Sequence, residues 1–144
     1  PVGAGTRILL VDLLNTISEN QQSIEGITLS GGEPLLQLPA LLSFLELLHQ
    51  RTSLSVLLFS GYTYQQIVKM PSTDRLFSHI DLLIAGPYVE NLRQATSLIG
   101  SRNKTLHFLT HRYSPADLLD LPEAEIFIRS DGSIHLSGIN PIQW

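Results

Sequence analysis

The 144-residue chain contains no cysteine. Disulfides and thiolate-held metal sites are therefore excluded for the sequence as it stands. No run approaches the ~18 uninterrupted apolar residues of a membrane-spanning helix, so no membrane is expected as a partner. The opening PVGAGTR lacks the charged-then-apolar pattern of a secretory signal, which points to a cytoplasmic location. Cations are few: nine Lys and Arg stand against 13 Asp and Glu, for a net charge of −4. They are scattered rather than striped, so no nucleic acid is expected as a partner. What remains is 43% apolar and 15% charged, enough to bury a core. The length suits a single domain, residues 1–144.

Of the five histidines, only His107 and His111 are close in sequence. Their i, i+4 spacing would suit a metal pair on a helix. The segment TLHFLTHRY reads as a strand running into a loop, which separates the two rings and argues against a zinc site.

Leu10, Leu13, Leu14 and Ile17 share one helical face. A polar stretch, 18–23, reads as loop, and Gly26 to Ser30 as a short strand. Leu41, Leu42, Phe44, Leu45 and Leu48 repeat the helical spacing, with Leu38-Pro39 at its start. Ser55 to Ser60 has the length of a buried strand. A short helical piece follows around Tyr64 to Lys69, broken at Met70-Pro71. Asp81 to Ala85 and Leu106 to Leu109 are two further apolar runs. Glu125 to Arg129 and Ser133 to Leu136 flank Asp131-Gly132, the signature of a hairpin with a two-residue turn. Strands alternating with helices predict an α/β fold built on a mainly parallel sheet of β-α units and ending in a C-terminal β-hairpin.

Ligands of such sheets bind beyond the carboxyl ends of the strands. Three strands end in informative residues: Ser30-Gly31-Gly32-Glu33-Pro34, Ser60-Gly61-Tyr62-Thr63 and Gly86-Pro87-Tyr88. Two glycines allow close approach of backbone to a ligand. Glu33 offers a carboxylate suited to an ammonium group, and Pro34 stiffens the exit. A plain strand-to-helix turn with a solvated glutamate explains the same letters, and Gly-Gly turns are common. Ser60-Gly61 is equally a ligand contact or a bend. Tyr62 and Tyr88 either flank a ring or cap the barrel end. Asn103 and Lys104, after Gly100-Ser101-Arg102, either grip an anion or form a polar loop.

GITLSGGEPLLQ closely resembles the Gly-Gly-Glu-Pro motif of radical SAM enzymes. The branch it resembles is the glycyl-radical-enzyme activating proteins, such as the anaerobic ribonucleotide reductase activating protein. Further stretches match that branch in order: LLFSGYTYQQI, IDLLIAGPYVENLR, LIGSRNKTLHFLTHRY and DGSIHLSGINP, with VGAGTR similar to the approach to its first strand. The resemblance implies a partial (β/α)6-type open barrel of mainly parallel strands, with S-adenosylmethionine and a [4Fe-4S] cluster as cofactors. It implies reductive cleavage of S-adenosylmethionine to a 5′-deoxyadenosyl radical that forms a glycyl radical on a partner enzyme. A flavodoxin or ferredoxin would supply the electron. Gly31, Gly32 and Glu33 would hold the methionine end, with Glu33 near its ammonium, and Ser30 and Pro34 beside them would also be cofactor-binding. Ser60, Gly61 and Tyr62 would contact the methionine or ribose side, and Asp81 to Tyr88 and Gly100 to Asn103, Asn103 included, would line the remaining wall. Lys104 stands where relatives often have Gln.

One part of that pattern is absent. The family holds its cluster through Cys-x3-Cys-x2-Cys in a loop after the first strand. Here Gly5-Thr6-Arg7 runs directly into Ile8-Leu9-Leu10. A few tens of residues are expected between about Arg7 and Ile8, either omitted, deleted or naturally lost. An abrupt join inside a core strand would remove a central element, which favours omission. As written, the chain is expected to be inactive, and the alternative function is a cluster-less scaffold or weak S-adenosylmethionine-binding domain.

Overall fold

The apolar periodicities of the sequence build one helix-covered sheet. The computed structural model describes residues 7–96, 98–119, 124–128 and 133–138. Helix α1 spans Leu10–Asn20 and leads to strand β1, Gly26–Leu29. Helix α2, Leu38–Arg51, leads to strand β2, Ser55–Ser60. Two short helices follow, α3 at Tyr64–Ile67 and α4 at Thr73–Phe77, then strand β3 at Leu82–Ala85. A small antiparallel pair comes next, β4 at Arg93–Thr96 and β5 at Ile99–Ser101. Strand β6 is Thr105–Phe108. Strands β7, Ala124–Ile128, and β8, Ile134–Gly138, pair antiparallel. That pairing fits the expected C-terminal hairpin; its Asp131-Gly132 turn lies outside the described residues.

The main sheet has the order β1-β2-β3-β6. Strands β1, β2 and β3 run parallel, and β6 runs antiparallel to β3 with Ala85 opposite Thr105. The arrangement is consistent with a partial α/β barrel.

Strand side chains alternate between faces. Val56, Leu58, Leu83 and Ala85 face the helices and join Leu14 of α1 and Leu41, Leu42, Phe44, Leu45 and Leu48 of α2 in one core. A fully buried Leu contributes roughly 1.5–3 kcal/mol relative to an exposed one, so α2, with six buried apolar residues, is the main clamp on the sheet. The apolar face of α1 sets its direction, yet the helix runs to Asn20, three residues beyond the last periodic position. The polar residues Ser18 to Asn20 lie on its outer turn and do not compete with the core, so the predicted loop starts later.

Two elements carried no period to betray them. Helix α4 is a single turn held by Thr73, whose buried hydroxyl shares its one proton between the carbonyls of Ile67 and Met70, 2.7 and 2.8 Å away. The pair β4–β5 occupies the stretch around Gly100 that reads as polar loop, and Ser101 is fully buried there.

Asp81 braces the amino ends of the strands. Its Oδ2 accepts from the Val56 amide at 2.8 Å, and its Oδ1 accepts from the Thr110 hydroxyl at 2.7 Å. Beside it, the Tyr113 hydroxyl donates to Glu25 Oε1 and lies 2.7 Å from Ser55 Oγ. Arg112 donates to the carbonyl of Ser53. The segment after β6 therefore ties down the lower ends of β1, β2 and β3.

Candidate functional site at the carboxyl ends of the strands

The exits of β1 and β2 are joined by one side chain. Glu33 Oε1 accepts from the Leu35 amide and from the Ser60 hydroxyl, each at 3.0 Å. Its Oε2 accepts from the Gly61 amide at 2.7 Å. Glu33 is thus the N-cap of the 3-10 turn Pro34–Gln37, with Pro34 in the first turn, where the missing proline N–H is tolerated. The sequence carries this signal: an acceptor side chain followed by proline is a helix-start pattern. A carboxylate offers about four acceptor positions. Three are used inside the chain, and one lone pair of Oε2 is left for a ligand donor.

Ser60 is also committed. Only 3% exposed, it gives its one proton to Glu33 and accepts from the Tyr62 amide at 3.1 Å. Thr63 is spoken for as well: with Gln66 it forms a capping box that starts α3. Much of the Ser60-to-Thr63 stretch is therefore explained by the turn it makes.

Gly31 and Gly32 differ from these residues. Gly31 has φ of +110°, and a Cβ built on either glycine meets nothing within 4 Å. Both are exposed. No protein packing requires the second glycine, and its backbone faces open space. Together with Ser30, Glu33, Phe59, Ser60, Gly61, Tyr88 and Lys104, the pair lines a cleft of about 380 Å³.

The far wall comes from the direction of β6. Because β6 is antiparallel, its beginning lies at the carboxyl edge of the parallel strands, which brings Lys104 into the cleft. Gly86, at the exit of β3, has φ of +123°. Its amide hydrogen-bonds to the carbonyls of Tyr62 and Ser60 at 2.8 and 3.1 Å. A Cβ there would come within 3.3 Å of the Asn103 carbonyl and Lys104 Cα. Burial pushes the Lys104 ammonium below its ordinary pKa, and the Glu33 carboxylate opposes that shift.

The remaining candidates divide. Asn103 donates from Nδ2 to the Pro87 carbonyl at 2.7 Å, tying the turn before β6 to the exit of β3. It holds Lys104 in place but is not in the cleft lining. Pro34 borders a neighbouring groove between α1 and α2. The Tyr62 side chain packs against the apolar core, while Tyr88, 55% exposed, stands in the cleft wall. Asp81 corrects the expected wall from Asp81 to Tyr88: it braces the opposite end of β3, and only the exit residues of that run reach the cleft. In the sequence Lys104 reads as an anion grip or as part of a polar loop, because nothing local reveals that β6 reverses.

A larger cavity, about 480 Å³, lies at the other end of the strands between Glu25, Ser55, Leu57, Leu82, Leu98 and Tyr113. Ser55, Tyr113 and Glu25 hydrogen-bond to one another there. His107 stacks on Tyr64 with centroids 3.9 Å apart, and its Nε2 lies 2.8 Å from Thr105 Oγ1. Among the described residues no group of three His, Asp or Glu could hold a metal ion. No helix among them is long and apolar enough to cross a membrane.

A mostly parallel sheet with a glycine-lined cleft at its carboxyl edge defines an α/β domain with its cleft where such sheets commonly take their ligands. The chain belongs to the 4Fe-4S single cluster domain family, whose model matches residues 4–107; that family is found in radical SAM-related proteins. No curated protein matches the chain. No solved structure matches it. The family supports a 4Fe-4S cluster. The residues present do not fit one: iron–sulfur clusters are held by cysteine thiolates, and the chain has none.

Proposed function

We propose that the chain is the S-adenosylmethionine-binding body of a radical SAM activating enzyme, the kind that forms a glycyl radical on a partner enzyme such as anaerobic ribonucleotide reductase. The observation that carries this reading is the open backbone of Gly31 and Gly32 in a cleft joined to the β2 exit by Glu33. Gly31, Gly32, Gly61 and the spare lone pair of Glu33 would hold the methionine end of the ligand, whose ammonium suits a carboxylate. Tyr88 would stand beside the remainder of the ligand. S-adenosylmethionine brings a sulfonium carbon–sulfur bond open to reductive cleavage. The electron for that cleavage would come from a flavodoxin or ferredoxin.

The cluster ligands would come from a segment between about Arg7 and Ile8. Two features support that placement. Helix α1 packs as a crossover helix with no strand entering it among the described residues, and β1 has an unpaired outer edge among them. Ile8 and Leu9, directly before α1, are 60% and 68% exposed, an apolar pair with little cover.

A second reading is favoured by the cysteine count alone: a cluster-less relative acting as a scaffold or a weak S-adenosylmethionine-binding domain. The gene sequence across the Arg7 and Ile8 codons separates the two. Three cysteines spaced Cys-x3-Cys-x2-Cys support the enzyme. A cysteine-complete form that yields no 5′-deoxyadenosine after anaerobic reconstitution with iron, sulfide and reductant overturns it.

A further inference from the structure

The cavity of about 480 Å³ at the amino ends of the strands has the volume of a small-molecule site, about 300–1,000 Å³. Side chains alternate along a strand, so Val56, Leu58 and Leu83 enter the helix-covered core while Ser55, Leu57 and Leu82 face the cavity. The register sets Thr28, Leu57 and Leu82 in one row across β1, β2 and β3, with Gly26 opposite Ser55 nearer the amino ends. Leu98, between β4 and β5, and Leu118, in the 3-10 turn Pro115–Leu118, add apolar side walls.

The polar part of the lining has spent its donors. The Tyr113 hydroxyl donates to Glu25 Oε1 at 2.7 Å, and burial raises its pKa, so the phenol keeps that proton. The Ser55 hydroxyl, on a residue 5% exposed, has the Tyr113 oxygen and the Glu25 carbonyl as acceptors, at 2.7 and 3.3 Å. Gly26 makes room for it, since a Cβ there would collide with Ser55 Oγ. Asp117 Oδ2 accepts from the amide and the hydroxyl of Ser114, each at 2.7 Å. Glu25 Oε2 and Asp117 Oδ1 are left over among the described residues. No Lys, Arg or His among them lines the cavity, and neighbouring Arg112 is tied to the Ser53 carbonyl.

This lining decides the chemistry of a ligand. An anion would meet two carboxylates and no cation. A neutral apolar molecule would strip water from the carboxylates and return no hydrogen bond. A bare metal ion would leave the leucine walls unused. An ammonium group on an apolar body satisfies both halves. We propose that this cavity is a binding site for a small amphipathic amine. Its ammonium rests on the free oxygen of Glu25, with Asp117 adding to the negative field, and its body lies against Leu57, Leu82, Leu98 and Leu118. The site is separate from the glycine-lined cleft and does not depend on the cofactor reading.

The test is an NMR titration of the chain with phenethylamine, phenethyl alcohol and methylamine. Phenethylamine should shift the methyl signals of Leu57, Leu82, Leu98 and Leu118. It should bind at least about tenfold tighter than the alcohol, which keeps the ring without the charge. Methylamine keeps the charge without the body and should bind at least about tenfold weaker than phenethylamine. Glu25→Gln keeps an acceptor for Tyr113 and should lose most of the amine's advantage over the alcohol; Asp117→Asn should lose part of it. Equal affinity for amine and alcohol, shifts confined to the glycine-lined cleft, or an advantage undiminished in both variants overturns the proposal. The ligand series on the unaltered chain decides the matter whatever the stability of the variants.

Discussion

Glu33 Oε2 accepts the amide hydrogen of Gly61 at 2.7 Å, across a gap of 28 positions in sequence. With Ser60 and Leu35 on its other oxygen, the carboxylate fastens two strand exits and starts a 3-10 turn. Glu33→Gln replaces one acceptor with an NH2 group that opposes either the Gly61 amide or the Leu35 amide. Unfolding in urea should show a loss of about 0.5–1.5 kcal/mol, the net worth of one hydrogen bond at a partly exposed donor. An unchanged midpoint would mean the bracket is not structural.

The two glycines separate folding from binding. Gly31→Ala forces a side chain into the left-handed region and should lower stability by about 1 kcal/mol. Gly32→Ala meets open space and should leave the urea midpoint within about 0.5 kcal/mol of the parent. Its added methyl group stands where ligand backbone contacts are proposed, so affinity for S-adenosylmethionine should fall in Gly32→Ala. Equal affinity in parent and variant would argue against that contact.

Asp81 gives a graded pair. In Asp81→Asn the amide oxygen can still accept from Val56, and the amide NH2 can donate to a reoriented Thr110 hydroxyl. The loss should be about 1 kcal/mol. Asp81→Ala strands the Val56 amide and should lose about 2–4 kcal/mol. Thermal unfolding of the two variants checks the order.

Two histidines set the acid response. Burial lowers the pKa of His107, and burial together with His49 lowers that of His79, both from an ordinary value near 6.5. The unfolded chain therefore takes up protons first as pH falls. Stability is full above about pH 6.5 and declines as pH drops through the lowered folded values. Urea midpoints between about pH 7.5 and 5 should fall, and a His79→Gln, His107→Gln variant should flatten that slope. A slope identical to the parent's would assign the effect to other groups.

Cluster uptake is the most direct check of composition. Anaerobic incubation of this chain with iron and sulfide should leave no stoichiometric iron after desalting, because no thiolate is present. Bound iron at four per chain would require ligands of another type.

The sequence revealed most where packing is periodic. Leu10, Leu13, Leu14 and Ile17, and the Leu41-to-Leu48 face of α2, report the core directly because burial selects one face. The strand exits were legible for the same reason: apolar runs end where the core ends. Direction was not. Thr105 to Phe108 looks the same whether β6 runs up or down, since side-chain alternation has no sign along a strand. That ambiguity hid the position of Lys104. Roles at the exits were ambiguous for a different reason. Glu33 and Ser60 are suited to a ligand by type, and only three-dimensional placement reveals that they largely satisfy each other. Asp81 looked like part of the wall because it adjoins β3, but four residues of strand separate its end from the cleft.

The reversal at β6 divides what the chain can vary. On its amino-terminal side, Asn103 and Lys104 stand at the edge that holds the proposed ligand cleft; on its carboxyl-terminal side, Thr110, Arg112 and Tyr113 latch the opposite ends of the strands. Changes in the first segment can retune what is bound while the latch stays intact, and changes in the second can harden the scaffold without reaching the ligand. A single four-residue strand thus keeps specificity and robustness on separate, independently adjustable lengths of chain.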